Sequence, residues 1–502
     1  MIDPHLSRVH RILDRLEQAR SRGLSCFGSE SHGFRLNHPL SEADLRAFEA
    51  AHRIRLPGDY RAFLEHAGNG GAGPYYGIFP LDKWNDFADS VSDERPDDFL
   101  ARPCPLHPDI RLAPDWADQF GDVSPYQGTL SLGTQGCAYG MLLIVSGPHA
   151  GRVVYVNEDG NPPYMVREPD FLSWYERWLD ELLHGYKTGW FGYGPGGGED
   201  DFFHILNDPQ AGNDFKSEAA RAFCRLPRLS ETAAARVPAY CSHPVEGVRA
   251  GACATIRAFE IRHAGDEAAR LLDDSSPAVR REAVWTVMTL DPRRWTDAVL
   301  HRLREDPSED VAASAFFKLK DAGALPKPEL LRIIERSPSG NLRYLAAHGV
   351  KWAAEDLGLL IRMLSDSNAQ VRFSATLGLR QLKAHDALHR VLDMLAREKD
   401  ALVIGSILML LGEFGDPSAV PSLLAWAESP DDFHRLDAIE ALAKIGDDRA
   451  VPIAKAMLLE DRKPVRRDAR GFPKQSSVHS IGTLVRKGLR ESPNPSLRAL
   501  AE

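Results

Sequence analysis

LSEADLRAFEAAHRIRLPGDYRAFLEHAGNGG, residues 40–71, decides the reading of the N-terminal part of this chain. Ser41 followed three residues later by Asp44 makes a capping box, and Leu40 and Leu45 are spaced as a hydrophobic staple across it. Leu45 and Phe48 then share one helical face, while Glu42, Arg46 and Glu49 face water. Leu56-Pro57 closes the segment, because a residue before proline is pushed out of the helical region. Pro57 suits the first turn of a second helix, whose buried side is Tyr60, Phe63 and Leu64. Gly68 stops that helix, and Asn69-Gly70-Gly71 reverses the chain into a strand.

Working outward, residues 1–35 open with an amphipathic helix carrying Leu6, Val9, Ile12, Leu13 and Leu16 on one side, then a Ser/Gly-rich join. After Gly71, strands are expected at Tyr75–Phe79, Leu130–Gly133, Tyr139–Val145 and Arg152–Val156, the later ones as an antiparallel meander. Asp170–His184 places Phe171, Trp174, Tyr175, Trp178, Leu179 and Leu182 at helical spacing. The polar connection Leu81–Pro125 has no assignable secondary structure.

These residues carry a resemblance. Phe48-Glu49, Leu56-Pro57-Gly58-Asp59-Tyr60, Phe63-Leu64 and Asn69-Gly70-Gly71, in this order, resemble the opening of the SUKH superfamily. That superfamily includes the yeast cell-wall-assembly regulator and bacterial toxin-immunity proteins. Its later landmarks are matched by Leu130–Gly133, Gly136–Gly140, Val153–Tyr155 and Phe171–Leu179, so the resemblance spans roughly residues 36–185. It implies an α+β domain with an antiparallel or mixed sheet and flanking helices. For bacterial members it implies neutralisation of a cognate toxin by direct binding.

Residues 186–200 are linker-like in composition, rich in glycine and without the Gly-Lys-Ser/Thr of a phosphate loop; Trp190, Phe191 and Tyr193 within them are expected to dock on a neighbouring domain. From about Asp201 the sequence repeats. An apolar residue recurs at Val248, Val279, Val311, Leu342, Val371, Val403 and Val465, with His434 as a polar exception, at spacings of 29 to 32 residues. An alanine follows four residues later at Ala252, Ala283, Ala315, Ala346, Ala375, Ala438 and Ala469, with Ile407 as the exception. Arginine follows the apolar residue at Arg249, Arg280, Arg343, Arg372, Arg435 and Arg466, and with acids such as Asp274, Asp306 and Asp366 it suggests an inter-repeat charge ladder. A second mark, Gly-Asp-x-x-Ala-Val-Pro, occurs at Gly415–Pro421 and Gly446–Pro452. A period near 31 with two helices per unit is that of an α-solenoid. The pattern is similar to short bacterial HEAT-like repeats, about eight of them within residues 201–502.

The overall expectation is an α+β domain over 36–185, preceded by a helical extension over 1–35 and joined through 186–200 to an all-α HEAT-like solenoid. At 502 residues the chain is too long for one core. No apolar run reaches membrane-spanning length, residues 1–20 do not read as a signal peptide, and six scattered cysteines lack zinc spacing. A reducing cytoplasm is the expected compartment. Charge is uneven: residues 1–200 hold 18 Lys+Arg against 29 Asp+Glu, a balance of −11, while the remainder balances at 43 against 42.

No motif of hydrolase, metalloprotease, nucleotide-binding or dinucleotide-binding chemistry is present, and no cofactor is implied. Asp59 sits in a helical first turn, where the helix dipole favours an acid, and reads as structural. The stretch from Asp82 to Asp98 is the candidate binding site: Asp82, Asp86, Asp93, Glu94, Asp97 and Asp98 surround Trp84, a composition suited to a basic protein partner. A solvated loop that keeps the domain soluble is the alternative. The basic run Arg462–Arg490 reads as a terminal cap ahead of a phosphate contact, and the overall charge argues against nucleic acid as partner. The sequence therefore points to a non-enzymatic cytoplasmic immunity-type protein that masks a toxin, with a nuclease as the expected class. A regulatory scaffold recruiting cellular proteins through the solenoid is the alternative. An alkylated-DNA repair enzyme is a third reading that the near-neutral solenoid disfavours.

Overall fold

The computed structural model describes residues 5–86, 96–110, 115–121, 123–467, 473–475 and 479–502. They fall into two units, Met1–Trp295 and Thr296–Glu502.

The N-terminal unit opens with helix α1 (Leu6–Ser21), which buries Val9, Ile12, Leu16 and Ala19. Helix α2 (Glu42–His52) starts at the Ser41/Asp44 capping box and stops when Arg53 adopts a left-handed conformation at φ 55°, several residues ahead of Pro57. Pro57 caps α3 (Gly58–His66), whose Tyr60, Phe63 and Leu64 are fully buried. Strands β1 (Thr129–Gly136), β2 (Tyr139–Ile144), β3 (Val153–Asn157) and β4 (Tyr164–Met165) form an antiparallel sheet in sequential order. The meander is as expected, with the short β4 added. The expected strand at Tyr75–Phe79 is absent. Tyr75 (φ 56°) and Gly77 (φ 95°) both turn left-handed, so only an isolated bridge, Gly71 to Ile78, survives there.

Helix α4 (Phe171–Leu183) closes the domain, with Asp170 accepting from the Ser173 amide at its N-terminus. The rings of Tyr60 and Phe63 meet Phe171 edge-on at 4.9 and 5.1 Å, and Trp174 donates its indole N–H to the Tyr155 hydroxyl at 2.9 Å. Asp59 is buried and reaches across from α3 to accept the Leu172 amide at 2.9 Å. It thus satisfies one of the orphan donors of α4 and fixes the two helices together. Burial pushes this carboxyl up, with the Leu172 amide pulling the other way. Asp59→Ala is therefore expected to cost about 1.5–3 kcal/mol, while Asp59→Asn, which keeps an acceptor, costs less than half of that. Because the folded pKa is raised, the native chain loses stability relative to Asp59→Asn as pH rises through it. Urea unfolding of both variants at several pH values checks this.

The same unit continues into α5 (Glu199–Asn207), α6 (Asn213–Ala222), α7 (Glu231–Arg236), α8 (Glu246–Ala258), α9 (Gly265–Arg270) and α10 (Pro277–Leu290). Residues 185–200 lie packed between α4 and these helices. Phe191, Gly192, Gly194 and Pro195 are buried, and the Tyr75 hydroxyl donates to the Phe191 carbonyl at 2.7 Å. Gly192, at φ 87°, sits where an added Cβ would come within 2.6 Å of the Tyr155 ring, so only glycine fits. A buried ionic cluster closes the junction. Arg177 pairs with Glu168 at 2.5 Å and Glu181 at 2.8 Å, and Arg225 pairs with Glu181 at 3.0 Å. Both guanidinium groups also donate to the glycine-rich segment, Arg177 to the Gly194 carbonyl at 3.1 Å and Arg225 to that of Pro195. Nearby, Arg167 pairs with Glu218 at 2.6 Å and lies 4.0 Å over the Phe215 ring.

Helix α11 (Pro292–Glu305) spans the boundary between the units. The second unit then alternates longer helices with shorter ones, except that α13 and α14 are equal in length: α12 (Glu309–Asp321), α13 (Lys327–Arg336), α14 (Gly340–Gly349), α15 (Leu357–Met363), α16 (Ala369–Leu382), α17 (Leu388–Leu395), α18 (Ala401–Phe414), α19 (Val420–Ala427), α20 (Asp432–Ile445) and α21 (Ala450–Leu458). Val311, Leu342, Val371 and Val403, with alanine or Ile407 four residues on, are buried at the start of the longer helices. His434 holds the same place in α20, buried, with Nε2 at 2.9 Å from the Ala401 carbonyl. Gly415 and Gly446 end α18 and α20 in the left-handed conformation, and the following Asp416 and Asp447 cap the next turns.

Arg249, Arg343 and Arg372 form clasps of one geometry, whereas Arg435 pairs with Asp432 of its own turn and with Glu460. Arg249 donates to the carbonyls of His243 and Pro244 at 2.9 and 3.0 Å and makes a fork with Asp274 at 2.6 and 2.8 Å. Arg343 treats Ser337, Pro338 and Asp366 the same way, and Arg372 treats Asp366, Ser367 and Glu398 so. Each of these three covers the bare carbonyls of its own turn while its fork engages the acid of the next, a bidentate pairing lysine cannot reproduce. The expected ladder through Asp274 and Asp366 is thus present. The Asp306 side chain is excluded from solvent, 3.7 Å from Arg302.

The repeat reading fails at Val465. This residue opens a strand, β5 (Val465–Arg467), which pairs with β6 (Pro473–Gln475). The helical pattern resumes at α22 (Ile481–Leu489) and α23 (Pro495–Ala499). There the buried Leu497 and Arg498, which donates to the Ser492 and Pro493 carbonyls, repeat the motif.

Candidate protein-docking surfaces

The segment Phe79–Trp84 runs along β1. Phe79 donates to the Leu132 carbonyl at 2.8 Å, and the Trp84 carbonyl accepts from Ser131 at 2.5 Å. Asn69 of the Asn-Gly-Gly turn anchors the segment by accepting the Leu81 amide at 2.7 Å. Trp84 is half-buried, edge-on to His52 at 4.9 Å, which in turn meets Phe48 at 4.5 Å. Asp82 and Asp86 are exposed beside it, with Lys83 at 3.7 Å from Asp86.

Asp97 and Asp98 return to the same end of the sheet, because Phe99 accepts the Gly128 amide just ahead of β1 at 2.8 Å. Asp97 is exposed. Asp98 makes an ion pair with Arg102 at 2.9 Å, and that hydrogen bond holds its carboxyl below the usual range. Asp93 and Glu94 lie outside the described residues. Of the sequence-derived set, Asp82, Trp84, Asp86, Asp97 and Asp98 therefore gather around the first half of β1. Asp98 is partly neutralised, while Asp82 and Asp97 carry no ion pair among the described residues.

The second unit offers a different kind of surface, which repeat counting did not single out. The longer helices α12, α14, α16 and α18 stack as successive neighbours. They expose Phe317 (43 %), Leu402 (63 %) and Met409 (37 %), with Tyr344, Phe373 and Leu377 half-buried among them. The signal was available: Phe317, Leu377 and Met409 each stand six residues after the buried apolar residue of their repeat. Further on, a groove of about 790 Å³ between α20 and α22 is lined by Leu436, Glu440, Lys444, Leu484, Lys487 and Arg490 among others.

Among the described residues, no three or more His, Cys, Asp or Glu side chains are grouped so as to hold a metal ion, and no helix is long and apolar enough to cross a membrane.

Comparison with known families fits this architecture. Residues 39–177 match the SMI1 / KNR4 family (SUKH-1), and residues 391–471 match HEAT repeats. No curated protein sequence matches the chain. Among solved structures it is similar to the E. coli protein YIBA at 21 % identity, covering 49 % of this chain and 92 % of that one with a TM-score of 0.36. It is similar also to human deoxyhypusine hydroxylase at 18 % identity, covering 49 % and 96 % with a TM-score of 0.23. A complex of Kap95p with RanGDP matches at 9 % identity, over 66 % of this chain and 49 % of that one, with a TM-score of 0.39. The chain thus joins an N-terminal SUKH domain to HEAT repeats, two modules suited to protein interaction.

Proposed function

We propose that this chain is an immunity-type binding protein whose SUKH domain occludes a basic surface on a cognate toxin. The observation that supports the reading most is the strip beside β1, where exposed Asp82 lies two residues from the half-buried Trp84 and exposed Asp97 borders the same end of the strand, in a segment, residues 1–200, with a balance of −11. Acids of this kind steer a cationic partner, and an aromatic at their centre supplies a desolvated anchor. A nuclease, which must itself be basic to hold its substrate, is the partner class that fits. Both modules act here by binding, without chemistry of their own.

The test is protection of growth. A cell expressing a candidate toxin, taken from the genes neighbouring this one, is expected to survive when the full chain is co-expressed. Affinity for the toxin is expected to fall at least about tenfold, the equivalent of 1.4 kcal/mol, and survival with it, in the double variant Asp82→Lys, Asp97→Lys. Both residues are exposed, so the fold is retained, which circular dichroism verifies. Undiminished protection by that variant counts against the assigned surface, and failure of the native chain to protect counts against immunity.

The apolar row of α12 to α18 favours a second reading, an adaptor that recruits proteins through its solenoid. Under that reading, Leu402→Asp and Met409→Asp abolish partner capture while the Asp82 and Asp97 reversals leave it intact.

A further inference from the structure

At the other end of β1, about 16 Å from Ser131 at 3.3 Å per residue, lies a cluster of aromatic side chains that neither the fold nor the acidic strip uses. Trp190 is 64 % exposed, Phe27 56 % and Tyr76 39 %, three of the largest apolar exposures in the N-terminal unit. They are continuous. The rings of Phe27 and Tyr76 meet edge-on at 5.5 Å. Tyr76 lies over Gly136, where an added Cβ would come within 2.8 Å of its ring. Gly136 pairs with Tyr139 across the β1–β2 turn, and Tyr139 meets Trp190 edge-on at 6.4 Å. Behind them Tyr193 joins Trp190 at 5.9 Å to the buried Tyr155 at 5.1 Å, so the ledge is braced from the core.

Its rim is acidic. Glu158 and Asp159 follow directly on Asn157, the partner of Tyr139 in the sheet, and both are exposed; the Glu158 amide donates to the Ala138 carbonyl at 2.9 Å. Glu30, also exposed, stands beside Ser31, whose hydroxyl donates to the Tyr76 carbonyl at 3.0 Å. The cation three residues ahead of Trp190, Lys187, has its ammonium 5.9 Å from the Phe259 ring. An apolar partner would gain nothing from three carboxylates around the aromatics, and an acidic one would be repelled. A guanidinium group satisfies both features, since it stacks on aromatic faces and forks onto carboxylates.

We propose that this ledge binds an arginine-rich segment of a protein partner, with Trp190, Tyr139 and Tyr76 as the stacking floor and Glu30, Glu158 and Asp159 as the ionic rim. It extends the protein-binding reading of the same domain and names the chemistry the partner presents, yet it stands on residues the growth assay does not alter.

The exposed Cys137 thiol at the tip of the β1–β2 turn supplies a local reporter. The full chain, labelled there with an environment-sensitive maleimide dye, is titrated at physiological salt with an alternating Arg-Gly peptide, and separately with Lys-Gly and Glu-Gly peptides. The same affinities are read without the label, from the fluorescence polarisation of tagged peptides. Saturable binding of the Arg-Gly peptide is expected, tighter than Lys-Gly, with none for Glu-Gly. Trp190→Ala and Glu158→Lys are each expected to weaken it about tenfold, while Leu459→Ala, exposed on the other unit, changes nothing. Equal binding of the Arg-Gly and Glu-Gly peptides, or of Arg-Gly to native and Trp190→Ala chains, overturns the assignment. Peptide binding that persists in a chain giving no growth protection removes the immunity reading and leaves this one standing.

Discussion

Arg225→Ala is expected to destabilise the N-terminal unit by about 3–5 kcal/mol, the cost of removing one member of a buried ion pair. Arg225 and Glu181 are both nearly excluded from solvent. Without the arginine, Glu181 keeps only Arg177 at 2.8 Å, and the Pro195 carbonyl loses its donor. The effect is not confined to the solenoid side. Glu181 belongs to α4 and Arg225 follows α6, so the pair ties the SUKH domain to the first helices after it. Hydrogen exchange should therefore quicken in α4 and α6 together, while amides of α16 to α20 keep their rates. Restoring balance with Arg225→Ala, Glu181→Ala should recover at least about 1 kcal/mol relative to the sum of the single variants. Additive losses, or a loss below about 1 kcal/mol for the single variant, would show that water already reaches the cluster and that the clasp holds nothing.

Trp174→Ala is expected to cost a similar amount, about 3–5 kcal/mol for a large aromatic lost from a closed core. Trp174 is fully buried in α4, against Phe171 and Phe191, and its indole N–H is the donor to the Tyr155 hydroxyl. Its removal opens a cavity and leaves that hydroxyl without its indole donor. Tyr155 in turn backs Gly192 and Tyr193, so the glycine-rich segment loosens with the core. Trp174→Phe refills most of the volume and isolates the hydrogen bond, for which about 1 kcal/mol is expected. Guanidinium unfolding of the two variants, followed by the remaining tryptophans, separates packing from hydrogen bonding. Equal losses in both would mean that the polar contact, and not the packing, dominates.

The ease of reading differed from one part of the chain to another for physical reasons. The capping box at Ser41 is written in local sequence, and so is its effect, since the groups that satisfy one another lie three residues apart. The repeats were legible because one packing problem is solved again and again: a buried residue, a small neighbour, and an arginine across the turn. Val465 shows the limit of that logic. A valine is as compatible with a strand as with a helix, and Val465–Arg467 pairs antiparallel with Pro473–Gln475. Tyr75–Phe79 misled in the same way, because aromatic and β-branched composition cannot announce that Tyr75 and Gly77 take positive φ. In residues 185–200 the docking of Phe191 was legible from its aromatic character, but the need for the glycines was not. Glycines there read as slack, whereas Gly192 is needed for close approach to Tyr155, a contact between residues far apart in the chain. Of the candidate site, the acids and Trp84 could be picked out by charge, but their gathering around β1 depends on hydrogen bonds to Ser131 and Gly128. The aromatic ledge was invisible for that reason too: Phe27, Tyr76, Tyr139 and Trp190 are spread over more than 160 residues.

The most direct measurement is hydrogen exchange of the full chain, free and bound to the toxin that the proposed function requires. Slowed exchange across 76–84 and 129–139 is the predicted result, since the acidic strip and the aromatic ledge both border β1. Slowing confined to the longer helices between 309 and 445, with 76–84 and 129–139 unchanged, would contradict the account and give the binding to the solenoid.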